Sequence, residues 1–260
     1  MDNSNILELK NLKMSFGEKN VLKGINLKVK RGEIIGYIGA NGAGKSTTVK
    51  IILGLVKGYE GEVVLLGDNI KNGDGEYKRK IGYVPEISEL YDSLTASEYL
   101  VFSGQLYGME EKEAYLKAKE MMELFDIGEA CNKRISSFSK GMKQKVVLIA
   151  SLLHNPEILF LDEPLSGLDA NSVMVVKELL ANLAKEGKTI FYSSHIMDVV
   201  EKISNRIVLL NNGVIVADGS FEELKNSCNE GSLEEIFNEL TGFNNHNEIA
   251  QRISKVMSRV

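Results

Sequence analysis

Tryptophan is absent from this 260-residue chain, cysteine occurs twice and proline three times. Cys131 and Cys228 lie far apart, with no CxxC pair and no histidine at ligand spacing, so neither a zinc site nor a disulfide framework is indicated and a reducing compartment fits. Long hydrophobic runs are missing too. The longest, Val146 to Leu153, falls far short of the ~20 residues that a membrane helix needs. Met1-Asp2-Asn3-Ser4-Asn5 carries no basic segment ahead of an apolar one, so no secretory leader is expected. The chain should be soluble by itself, and any membrane role must come through a partner. Positive charge is not in surplus: 31 basic residues against 36 acidic ones give a net charge of −5, which is no electrostatic footprint for nucleic acid. The run Lys78-Arg79-Lys80 reads as solvated surface, and there is neither an internal repeat nor a low-complexity segment.

What is present is Gly39-Ala40-Asn41-Gly42-Ala43-Gly44-Lys45-Ser46-Thr47, a complete phosphate-binding loop. Ile34, Ile35, Gly36, Tyr37 and Ile38 ahead of it read as a buried strand, while Val49, Ile51, Ile52, Leu53 and Leu55 behind it read as a helix opened by Gly44. Glycines let the backbone wrap close to phosphate oxygens, and the helix N-terminus adds a positive dipole end. Lys45 supplies a point charge and Ser46 a hydroxyl for a magnesium ion. A nucleoside triphosphate is therefore the first ligand to consider. The loop alone does not separate a kinase from a GTPase or a motor.

The length suits one α/β domain with a lobe inserted into it. Ile6, Leu7, Leu9, Leu12, Met14 and Phe16 alternate with polar residues, Gly17-Glu18-Lys19-Asn20 reads as a turn, and Val21, Leu22, Ile25, Leu27 and Val29 resume. That pattern predicts an antiparallel β entry. Four further strands are expected at Val63 to Leu66, Ile81 to Val84, Ile158 to Leu161 and Thr189 to Ser193, several of them apolar on both faces as in a helix-covered parallel sheet. Helical periodicity over Tyr99 to Tyr107, Glu110 to Leu124 and Met142 to Leu153 predicts an inserted helical lobe. Arg206 to Ala217 reads as a closing hairpin turning at Asn211-Asn212-Gly213. A polar helical tail follows Gly219, with Leu233, Ile236, Phe237 and Leu240 on a short amphipathic face and mobile last residues.

Downstream, the apolar run 158–161 ends in Asp162-Glu163-Pro164, two carboxylates at the C-terminal edge of a buried strand, where ligands of open α/β sheets collect. In that place Asp162 would support the magnesium ion and Glu163 would polarise the water that attacks the γ-phosphate. With this order of motifs the chain resembles the nucleotide-binding subunit of an ATP-binding cassette (ABC) transporter over about residues 6 to 220. The family's signature motif corresponds to Phe138-Ser139-Lys140-Gly141-Met142, followed by Lys143-Gln144-Lys145. The resemblance implies that Ser139, Gly141 and Met142 hold, in trans, the γ-phosphate of a nucleotide bound on another subunit, using a second helix N-terminus. Lys140 stands where glycine is usual and Met142 where glutamine is usual, a variant that resembles the export branch. Ser166-Gly167-Leu168-Asp169 resembles the D-loop, which crosses the dimer interface, and His195 resembles the switch histidine that senses γ-phosphate. Phe16 matches the aromatic position that stacks on adenine, with a core-facing strand phenylalanine as the rival reading. Glu86, after Tyr83-Val84-Pro85, stands where a Q-loop glutamine usually reaches the metal and the membrane partner; glutamate keeps the acceptor oxygen and adds charge. His154 and His246 lack such a setting and receive no chemistry.

The resemblance thus implies a P-loop NTPase fold, α/β, with a mostly parallel central sheet, an N-terminal antiparallel β subdomain and an inserted α-helical lobe. Its implied organisation is an ATPase domain over 1–220, with the lobe at about 87–155, and a C-terminal helical tail over 221–260. ATP is the implied nucleotide, bound by Phe16, Gly39, Asn41, Gly42, Ala43, Gly44, Lys45, Ser46 and Thr47. Magnesium would be held by Ser46, Asp162 and Glu86, with Glu163 and His195 catalytic. Implied partners are a second copy or a related cassette, joined head to tail on ATP binding, and a separate integral-membrane permease; nucleic acid is not among them. The chain would then work in the cytoplasm on the inner face of the cell membrane, coupling ATP hydrolysis to export. The other reading is a soluble ABC ATPase outside transport, of the iron-sulfur assembly type.

Overall fold

The computed structural model describes residues 5–73, 75–228, 230–242 and 246–257. The end of the tail, 258–260, expected to be mobile, lies outside the described residues. The chain opens with β1 (Asn5–Phe16) and β2 (Lys19–Lys30), paired antiparallel through Leu9↔Leu27, Met14↔Leu22 and Phe16↔Lys19. The turn is shorter than the four residues expected. Gly17, at φ 57°, and Glu18 suffice to reverse the chain, which frees Lys19 and Asn20 to join the ladder.

Next come β3 (Ile34–Gly39), α1 (Lys45–Ile52), β4 (Glu60–Leu65) and β5 (Asp68–Asn69). The strand expected at Val63 to Leu66 is part of β4, and of the four expected strands it is the one outside the parallel sheet: it pairs antiparallel with β1, in a four-stranded sheet ordered β2-β1-β4-β5. Its pattern explains the assignment. Val63 and Leu65 are buried while Glu62 is exposed and Val64 half-buried, the alternation of a strand with one covered face.

β6 (Ile81–Val84) leads into the helical lobe of α2 (Ala96–Leu106), α3 (Glu111–Leu124) and α4 (Lys140–Leu152). α2 begins three residues before the first periodic apolar position because Thr95 caps it. Glu98 N donates to Thr95 Oγ1 (3.2 Å) and Thr95 N to Glu98 Oε2 (2.8 Å), a reciprocal capping box. The lobe closes over Leu100, Ala114, Ala118 and Met122, all at most 1 % exposed.

β7 (Ile158–Asp162), α5 (Ala170–Lys185), β8 (Thr189–Ser193), α6 (Met197–Ile203), β9 (Arg206–Asn211) and β10 (Val214–Gly219) complete the sheet domain. The β9–β10 hairpin turns where expected, with Asn212 (φ 49°) and Gly213 (φ 82°) both left-handed. The six-stranded sheet runs β10-β9-β3-β8-β7-β6, parallel except for β10. Its two faces feed two cores. Ile34, Ile38, Leu159, Leu161, Ile190 and Tyr192 face the helices, while Ile35, Tyr37, Ile158, Phe160 and Phe191 face α1 and the antiparallel sheet. The period of two within each strand sorts them.

The tail holds α7 (Phe221–Cys228), α8 (Leu233–Thr241) and α9 (His246–Met257). α8 buries Leu233 and Ile236 completely and packs Phe237 and Leu240 on the helical-side core, the expected amphipathic face. No described helix is long and apolar enough to cross a membrane.

Candidate active site

Because β3, β6, β7 and β8 are parallel, their C-terminal ends collect at one edge, which carries Gly39, Val84, Asp162 and Ser193. The phosphate loop leaves β3 there and re-enters regular structure at α1. Gly44 makes that entry possible: its φ is 111°, and a Cβ would stand 2.5 Å from Leu22 Cδ2. Thr48, 1 % exposed, anchors the first turn, donating from Oγ1 to Gly44 O (3.0 Å) and accepting from Tyr37 Oη (3.2 Å). Lys45 Nζ folds back along the loop to donate to Gly39 O (2.6 Å) and Ala40 O (3.3 Å). Burial pulls the Lys45 ammonium below the usual lysine value, and the charges of Asp162, Glu163 and Glu86 oppose that shift.

A cavity of about 430 Å³ opens above the loop, walled by Phe16, Lys19, Asn41, Gly42, Gly44, Lys45, Ser46, Thr47, Glu86, Asp162 and His195. Residues spread over most of the sequence thus share one wall. Phe16 is 51 % exposed at the cavity mouth, so the core-facing alternative for this strand residue does not apply. Gly39 and Ala43 do not line this space; Ala43 is buried and its N–H donates to Ala40 O (3.0 Å) within the loop.

The two carboxylates after β7 are held by the end of β8. Asp162 lies opposite Ser193 in the parallel ladder and accepts a hydrogen bond from its hydroxyl. Glu163 adopts a left-handed backbone, φ 48°, and its N–H donates to Ser193 O (3.0 Å). Its carboxylate accepts from Ser194 Oγ at Oε2 (3.0 Å) and from the His195 backbone N–H at Oε1 (2.5 Å), with His195 Nε2 3.9 Å from Oε1. Ser193 and Ser194 were not singled out from the sequence. The signal was the serine pair immediately before His195 at a strand end. Lys19 was likewise assigned to a turn, yet it lines the cavity beside Phe16.

Ser139, Gly141 and Met142 lie elsewhere. Ser139 caps α4, accepting from Met142 N (3.2 Å). These three residues line a separate cavity of about 570 Å³ with Lys133, Lys145, Gly167 and Asp169. A Cβ on Gly141 would stand 2.6 Å from Gly167 O, so the α4 start and the 166–169 turn are pressed together. Asp169 caps α5 through Ser172 N (2.9 Å) and Ser172 Oγ (2.5 Å) and lies 3.5 Å from Lys145 Nζ. His154 is structural: its ring stacks on Tyr107 at 3.6 Å and Nε2 donates to Ile81 O (2.9 Å).

Among the described residues, no three His, Cys, Asp or Glu side chains gather as a metal cage. The cavity offers the hydroxyls of Ser46 and Thr47 and the carboxylates Asp162 and Glu86. That donor set fits magnesium, which binds through one or two carboxylates and takes its other oxygens from phosphate and water.

Residues 22–166 match the family described as ABC transporter. The chain is 39% identical over 219 residues to the linearmycin resistance ATP-binding protein LnrL of Bacillus subtilis (strain 168), covering 84% of this chain and 70% of LnrL. A solved ATP-binding subunit of an ABC transporter superposes with a TM-score of 0.85 at 34% identity, covering 91% of this chain and 99% of that one. A dimeric ATP-binding cassette in a post-hydrolysis state with ADP and Pi superposes with a TM-score of 0.76 at 29% identity, covering 82% of this chain and 98% of that one. Loop, carboxylates and fold agree with these likenesses: the chain belongs to the ABC transporter family and is an ATP-binding, ATP-hydrolysing subunit of such a transporter.

Proposed function

We propose that this subunit drives export through a separate membrane permease, and that its catalytic site is completed head to tail by a second cassette. The observation that carries the dimer reading is the division of the site. The phosphate loop, Asp162 and His195 line one cavity, while Ser139, Gly141 and Met142 line another. Each half lacks what the other holds, so a second copy turned head to tail would complete both sites. The export direction is supported by the likeness to a resistance protein and by the Ser139-Lys140-Gly141-Met142 form of the motif.

In this reading Phe16 stacks on the adenine, the loop amides and Lys45 hold the phosphates, and Ser139 with the Gly141 and Met142 amides closes on the γ-phosphate from across the interface. Ser46, Asp162 and Glu86 would hold magnesium, which would supply charge neutralisation on the phosphate oxygens. Glu163 accepts a proton from the attacking water, and His195 ties that event to the γ-phosphate. Closure stores ATP contacts that exist only in the closed dimer, and hydrolysis releases them, so transport is a population shift. The permease would read this motion at the segment 86–94 on the inner face of the membrane. Support for that surface comes from Ile87 and Tyr91, 76% and 63% exposed within it, and from Phe102 of α2, 43% exposed, whose ring lies 6.5 Å from that of Tyr91.

Glu163→Gln tests the chemistry. ATP hydrolysis should fall by about 100-fold or more while ATP affinity stays within a few-fold, and ATP-bound dimers should accumulate on size-exclusion chromatography. Turnover at the wild-type rate would remove Glu163 from this role.

A further inference from the structure

The hydroxyl of Ser194 is 6 % exposed with its residue and makes two bonds at once. It donates to Glu163 Oε2 (3.0 Å) and accepts from Ile196 N (3.2 Å). A serine has a single proton to give; here it goes to the Glu163 carboxylate, while the Ile196 N–H takes up a lone pair of the same oxygen. The backbone on both sides of His195 is thereby connected to one carboxylate. The His195 N–H holds Oε1, and the Ile196 N–H holds the hydroxyl that holds Oε2. Glu163 itself sits in a left-handed conformation, φ 48°, which a glutamate keeps only where its surroundings impose it.

We infer that Ser194 is a positioning residue for hydrolysis: its hydroxyl orients the Glu163 carboxylate and makes that orientation depend on the backbone around His195. The inference rests on the proposed role of Glu163 and adds the device that aims it. A carboxylate held at both oxygens presents a fixed lone pair to the attacking water, and a misplacement of about 1 Å at such a group costs up to 100-fold in rate. Ser194 touches neither nucleotide nor water in this scheme. Its loss should therefore appear in kcat and leave the KM for ATP alone.

Valine and threonine have nearly the same shape, so Ser194→Val and Ser194→Thr differ mainly by the hydroxyl. Steady-state ATPase assays on the full chain, with Ser194→Ala and Glu163→Gln alongside, decide the matter. Ser194→Ala and Ser194→Val should lose about 10- to 100-fold in kcat with KM within two-fold of wild type, and Ser194→Thr should recover most of kcat. Wild-type kcat in Ser194→Ala beside an inactive Glu163→Gln overturns the inference and leaves the role of Glu163 standing. Equal losses in Ser194→Val and Ser194→Thr overturn it in favour of packing, and a raised KM with unchanged kcat overturns it in favour of nucleotide binding. Wild-type turnover in Glu163→Gln overturns the reading beneath it.

Discussion

Thr48 and Tyr37 lie under the phosphate loop, 1 % exposed each, and are joined by one hydrogen bond. Burial raises the Tyr37 phenol well above its ordinary value, so it stays a neutral donor and needs its acceptor. Thr48→Val removes that acceptor and leaves a buried hydroxyl unpaired, a loss of about 1–3 kcal/mol. Tyr37→Phe removes the donor instead, and Thr48 retains its bond to Gly44 O; about 1 kcal/mol is expected there. The pair should not be additive. Thr48→Val combined with Tyr37→Phe should cost less than the sum of the two, because neither partner is then left alone. Urea midpoints of the four proteins measure this directly, and strict additivity would show that the bond seen in the structure carries no coupling. The same cycle read in ATP affinity reports whether the floor of the loop sets the loop's grip.

Elements are tied at the sheet edge away from the site by Glu157, just ahead of β7. Its N–H donates to Lys80 O (2.8 Å), its carbonyl accepts from Thr189 N (3.1 Å), and its carboxylate pairs with Arg31 (2.6 Å) and Lys80 (3.0 Å). The Arg31 hydrogen bond, and after it Lys80, holds the Glu157 carboxyl below its ordinary value. A depressed carboxyl stabilises the fold above its ordinary value and loses that contribution as pH falls through the folded one. Glu157→Gln should accordingly cost about 0.5–1 kcal/mol at neutral pH, discounted for solvent exposure, and the gap from wild type should close as pH falls below the ordinary glutamate value of about 4.3. A gap that persists in acid would assign the loss to packing. Such ties were not legible in the sequence, since nothing in Glu157 alone names Arg31. β7 itself was legible, because a strand buried on both faces writes an unbroken apolar run, and the start of α4 was legible because Ser139 writes a cap. That Val63, Val64 and Leu65 form a strand was legible from their apolar run; which sheet that strand joins was not, since nothing local names its partner β1. The grip of Ser193 and Ser194 on the carboxylates depends on the β7–β8 register, which no local pattern encodes.

At the scale of the whole molecule the proposed division into two half-sites makes a prediction that a self-contained site does not. Lys45→Ala destroys the loop half of one chain, and Ser139→Arg blocks the signature half of another. Each homodimer then has two broken sites, and each protein alone should be inactive. In a head-to-tail heterodimer the damaged halves meet at one site, and the intact loop of the Ser139→Arg chain meets the intact Ser139 of the Lys45→Ala chain at the other. Mixing the two proteins in equal amounts should therefore restore hydrolysis to about a quarter of wild type, since half of the dimers are mixed and each has one working site of two. Dilution below the dimerisation range should abolish the recovered activity before it affects ATP binding to the Ser139→Arg chain. If loop and signature of one chain served the same nucleotide, both mutant chains would carry a broken site in every pairing. The mixture would then stay as inactive as its components, and the separate linings of the two cavities would need another explanation.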